Sequence, residues 1–85
     1  MKLKTSLKFD VEIKASLQIY DKGGNRVKSI PVQSGIGMVE LQWNGTNERQ
    51  RLVGKGTYLR VFFHSTESNG VEEIKKPQKI WIGVK

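Results

Sequence analysis

Eighty-five residues, with fifteen Lys and Arg against eight Asp and Glu, carry a net charge of +7 and contain no cysteine. A chain of that length makes one domain that buries roughly 60–65% of the surface its unfolded form exposes, so no second core fits. The missing thiols exclude a disulfide frame and a thiolate metal site, and the apolar runs are too short for a membrane-spanning helix. The Lys-rich start lacks the apolar stretch of a secretory signal, which suits a cytosolic protein or a module cut from a longer secreted one. Positive residues run from Lys2 to Lys85 with acids interleaved at Asp10, Glu12, Glu40, Glu72 and Glu73. Charge spread in that way reads as a solvated surface and argues against nucleic acid.

From position 3 to position 19 the odd residues are mostly apolar and the even ones polar, a period of two that specifies strand. Seventeen extended residues would span roughly 56 Å, against about 30 Å for a compact domain of this size, so the segment must break. The break is expected over residues 11–14, leaving strands over 5–10 and 15–20. Asp21-Lys22-Gly23-Gly24-Asn25 supplies turn residues before a strand over 26–30, the pattern of a hairpin. Pro31 ends that strand or marks an edge. After a Ser-Gly loop, Val39, Leu41 and Trp43 alternate with Met38, Glu40 and Gln42, giving a strand whose inward face carries Trp43.

Residues 58–65 are rich in aromatic and β-branched side chains and read as a central strand. Residues 66–70 read as a turn. The last segment begins near Glu72, is interrupted at Pro77, and resumes with Ile80, Ile82 and Val84 on one side. Six or seven short strands at regular spacing, without helical periodicity, point to an all-β antiparallel sandwich, with a small barrel as the competing architecture.

Two stretches carry a family resemblance. Ile19-Tyr20-Asp21, Gly24 and Val27 form one; Trp43-Asn44-Gly45 followed by Gly54-Lys55-Gly56-Thr57-Tyr58 forms the other. Together they resemble the FlgD-like immunoglobulin-like domain of the flagellar hook-capping protein and of many large secreted bacterial proteins. That resemblance implies an immunoglobulin-like or fibronectin-III-like sandwich of about seven strands. It also implies a structural module, often C-terminal, of an extracellular or cell-surface protein. The family commonly has Gly where this chain has Gln50, so the loop from Asn47 to Leu52 is expected to follow another path. The last strand and its Lys-rich ending are also similar, less closely, to the C-terminal sorting domains of proteins exported by the type IX pathway.

No catalytic constellation stands out. His64 is the only histidine and no nucleophile elbow surrounds any serine, so it reads as a surface histidine near a strand end. Glu72 and Glu73 alternate faces and cannot share a substrate, and Asp10 and Glu12 sit among Lys8 and Lys14 in a mixed-sign ladder. Gly23-Gly24 and Gly54/Gly56 precede no helix that could hold a phosphate, so turn geometry accounts for them. No catalytic residue, cofactor or metal is expected.

Trp43 reads as the core anchor. Trp81 falls opposite Ile80 and Ile82, either as an exposed aromatic or as a core residue of the second sheet. Trp81, Lys79, Lys75 and Lys76 form the candidate contact surface. The expected role is a non-catalytic structural, spacer or export module whose partners are other domains of its chain or another protein. A polyanion-binding module and a carbohydrate-binding module are the alternatives, and the oligomeric state is left open.

Overall fold

In the computed structural model, which describes residues 3–85, five strands form one antiparallel sheet. Met1 and Lys2, the first of the positive residues, lie outside the described residues. The strands are β1 (Leu3–Tyr20), β2 (Arg26–Trp43), β3 (Gly56–Ser68), β4 (Val71–Ile74) and β5 (Gln78–Val84). β2 pairs β1, β1 pairs β3, and β4 and β5 share the far edge of β3, split at Pro77.

The two 18-residue strands each serve two layers. In β1, residues 13–20 pair both β2 and β3, except that Ser16 pairs β3 alone at a register shift, whereas residues 3–9 pair only β2 at positions 37–43. Between these halves Asp10, Val11 and Glu12 face Ile36 alone, a bulge that bends the ribbon back over itself. Gly37 beside it has φ 87°, a conformation glycine reaches without strain. The folded-over ribbon makes a two-stranded layer packed on a four-strand-wide one. Arg60 Nη1 donates to Thr5 Oγ1 at 2.5 Å, and the Phe9 and His64 rings lie 5.3 Å apart, so residues 3–9 sit above β3.

Period-two alternation explains what lies between the layers. Ile13, Ala15, Leu17 and Ile19 of β1 meet Val39, Leu41 and Trp43 of β2 and Phe62 of β3 in one buried cluster. The molecule measures 44 × 21 × 20 Å, longer than the sphere that its length suggests.

Several sequence expectations change in detail. The strands number five rather than about seven, because the breaks inside β1 and β2 are bulges that leave each strand continuous. The stretch over residues 34–37 is strand, not loop, with Gly35 and Gly37 opposite Ile13 and Phe9. Pro31 lies at the register shift where Leu17 pairs Ile30 and Ala15 pairs Gln33, on the edge strand. There its missing N–H is tolerated. The turn after β3 is shorter than residues 66–70: only Asn69 and Gly70 lie outside strands, both with positive φ. That is the backbone of a two-residue hairpin whose twist matches its strands.

Candidate contact surface

The two glycine-punctuated motifs build structure around one tryptophan. At the first, Asp21 Oδ1 accepts from the Asn25 amide at 2.9 Å and the Asp21 amide donates to the Asn25 carbonyl at 2.9 Å, closing the hairpin. Gly24 takes φ 87°. The amide and side-chain donors of Asn25 hold the Asp21 carboxyl below its ordinary value. At the second, Trp43 Nε1 donates to the Thr46 carbonyl at 2.8 Å, and Gly45 takes φ 80° to turn the chain beneath the ring. Asn44 Oδ1 accepts from Thr46 Oγ1. The Asn47 side chain accepts from the amides of Arg49 and Arg51, and Gln50 takes φ 62°, the left-handed region that favours glycine.

The loop then ties itself to the sheet. The Glu48 amide donates to the Val27 carbonyl at 3.1 Å, Glu48 Oε1 accepts from the Ser29 amide at 2.6 Å, and the Val53 amide donates to Gly45 at 2.9 Å. Tyr58 completes the arrangement: its hydroxyl donates to the Gly54 carbonyl at 2.8 Å and its ring lies 5.8 Å from that of Trp43. Gly56 opens β3 at φ 153°. All of these groups bond to the protein itself, which leaves the loop no set of convergent donors for a ligand.

The outer face of the wide layer is different. Strand alternation turns Leu59, Val61 and Phe63 of β3 away from the core, where Leu59 stands between Tyr20 of β1 and Trp81 of β5. Trp81 is 60% exposed. The Tyr20 hydroxyl donates to Gln18 Oε1 at 2.6 Å on the same face. These side chains line a groove of about 380 Å³ with Lys22, Lys79 and Pro77 at its rim. Phe63 and Pro77 also line a neighbouring hollow of about 450 Å³ with Val32, Ile74, Lys14 and Lys75. The two depressions share Phe63 and Pro77 and form one apolar track bordered by lysines, with Asp21 and Glu72 also in its walls.

Of the four candidate contact residues, Trp81 and Lys79 lie together on this track. Lys75 borders its other end, where it pairs with Glu73 at 3.1 Å, and Lys76 is exposed in the link between β4 and β5. Sequence reading pairs Tyr20 with Trp81 as a possible stacking platform but missed Leu59 and Phe63 as members of the surface, with buried Val61 between them. The signal was present, since Leu59, Val61 and Phe63 recur at period two on the face opposite Phe62, so both faces of β3 carry apolar side chains.

His64 departs from the expected surface position. It is half-buried on the inner face of β3 between Phe9 and Phe62, and its Nδ1 is buried without a partner. Burial, then the nearby positive Lys75, lower its pKa from the usual 6.5. Among the described residues no group of three His, Asp or Glu could hold a metal ion, and no helix is long and apolar enough to cross a membrane.

Residues 2–61, more than half of the chain, match the FlgD Ig-like domain family. The chain belongs to that family. FlgD Ig-like domains are structural, non-enzymatic modules. The fold agrees with the crystal structure of FlgD from P. aeruginosa at a TM-score of 0.61 and 21% identity, over 98% of this chain and 62% of that one. This chain thus spans less than two thirds of the length of that FlgD chain. No curated protein matches the sequence significantly.

Proposed function

We propose that this chain is a non-catalytic protein-contact module of an exported bacterial protein, and that it docks through the outer face of its wide layer. One observation carries the reading: a 60% exposed Trp81 sits on an apolar track with Leu59, Phe63 and Pro77, bordered by Lys79 and Lys75. Soluble domains seldom expose so continuous an apolar strip unless something covers it. Family membership supports an exported setting, because FlgD-like domains belong to flagellar hook proteins. A spacer or C-terminal sorting role fits the same rigid surface.

A photo-crosslinking residue at position 81 of the intact parent protein tests the reading. A discrete polypeptide adduct, lost when Lys79 and Phe63 are replaced by Glu, is the expected result. The absence of any adduct would overturn it.

The same track also has the ingredients of the two alternatives. Lys22, Lys75 and Lys79 surround an aromatic surface, as a polyanion site requires, and Tyr20 with Trp81 forms a stacking platform for sugars. Binding of heparin or single-stranded oligonucleotide with a steep salt dependence would favour the first. A shift of Trp81 fluorescence on adding a polysaccharide would favour the second.

A further inference from the structure

The two layers are unequal, and the inequality leaves a specific vacancy on the side away from the Trp81 face. Residues 3–9 of β1 lie above β3, so no strand among the described residues lies above β5. Burial records this. Leu17 and Ile19 of β1 and Phe62 of β3 are fully buried, Ile82 and Val84 of β5 are half-buried, and Ile80, on the same inner face, is 48% exposed.

The edge of residues 3–9 that points away from β2 pairs with nothing among the described residues. Along such an edge every second residue offers an amide and a carbonyl to the outside. The same gap holds an unsatisfied charge. Arg60, opposite Ile80 in the ladder, is half-buried and has a buried Nε without a partner, and among the described residues its guanidinium bonds only the Thr5 hydroxyl. Neither of the ion pairs among the described residues, Lys4–Glu40 and Lys75–Glu73, involves it.

We propose that a third strand, an extended polypeptide segment from outside this domain, adds to the free edge of residues 3–9. It covers Ile80 and Ile82 with apolar side chains and places a carboxylate against Arg60. The occupant is a polypeptide because a ladder of backbone groups is matched only by another ladder. It carries an acid because a half-buried guanidinium with a buried, unpartnered Nε is matched in charge and geometry by a bidentate carboxylate. A second copy of this chain fits poorly. Lys4 and Lys8 stand along the edge, and each copy brings a net charge of +7. Edge lysines oppose self-pairing and favour an acidic donor.

The test is a titration of the isotope-labelled chain with the blocked peptide Val-Asp-Val-Thr-Glu-Thr-Val-Asp-Val and with its central Glu→Gln twin, followed by NMR. Expected are amide shifts and new exchange protection along residues 3–9, with side-chain shifts at Arg60 and Ile80. The Gln twin should bind about tenfold or more weakly, as for loss of a charged hydrogen bond. Arg60→Met should abolish that preference so that both peptides bind alike, and Ile80→Lys at a half-exposed position should remove binding while amide dispersion shows the fold intact. Three outcomes overturn the proposal. These are no shift at about millimolar peptide, shifts confined to the Trp81 face, or self-association that protects residues 3–9 without peptide.

Discussion

Trp43 and Trp81 are the same residue type in the same sheet, and they have opposite surroundings. Trp43 ends β2 under a loop that folds back on it, is 1% exposed, and spends its one donor on Thr46. Trp81 stands on the outer face of β5, where no layer covers it, and is 60% exposed. Both tryptophans follow strand alternation. What separates them is whether the chain supplies a second surface. The flank around Trp43 is closed by the chain's own loop, with its polar groups satisfied internally. The flank around β5 is open on both faces, to the apolar track outside and to the gap beside Arg60 inside. Stability is therefore concentrated where the chain closes on itself, and contact potential where β5 is left uncovered.

The largest expected effect tests the closed flank. Trp43→Ala removes a fully buried ring and strands the Thr46 carbonyl, and should cost about 3–5 kcal/mol, most of the stability expected for a domain of this size. Urea denaturation followed by circular dichroism measures it, and a loss under about 1 kcal/mol would mean that the ring is not the anchor. Gly45→Ala should cost roughly 1–2 kcal/mol in the same measurement, because φ 80° suits no L side chain. Gln50→Gly should have the opposite sign. Relieving φ 62° should raise the unfolding midpoint by the equivalent of about 0.5–1 kcal/mol, since part of the relief is offset by the greater freedom of glycine in the unfolded chain.

The open side responds to pH. The His64 imidazole is neutral in the fold and titrates below its usual 6.5, so the unfolded chain binds the proton first as the solution is acidified. Stability conferred by the neutral ring is full above about pH 6.5 and declines as pH falls towards the lower folded value. His64→Phe, which keeps a ring between Phe9 and Phe62, should remove that decline. Equal slopes for the two proteins between pH 7 and 5 would place the histidine in solvent. The smallest effect belongs to Trp81→Ala, expected to change stability by less than about 1 kcal/mol in the urea titration, because the ring is 60% exposed.

Much of this arrangement is legible in the residues. Alternation over residues 3–19 assigns Leu17 and Ile19 to the core, and the Asn44-Gly45 pair marks the turn that closes over Trp43. Length arithmetic requires a bend near residues 11–14, and the bulge at Asp10, Val11 and Glu12 supplies it. The form of the bend was not legible, because a bulge keeps strand geometry on both sides and has no turn signature. The burial of His64 was hidden for a different reason. It depends on Phe9 arriving from the second layer, a contact between residues far apart in the chain. Whether Trp81 is covered is likewise a property of layer stacking, which periodicity within β5 does not encode.

Amide hydrogen exchange, resolved residue by residue, separates a closed flank from an open one in a single experiment. The account expects uniform slow exchange through residues 17–19 of β1, which pair on both sides. It expects alternating slow and fast exchange through residues 4–9, which pair on one side only. Uniform protection of residues 4–9 in the isolated chain would contradict it, because the second layer would then already have its missing strand.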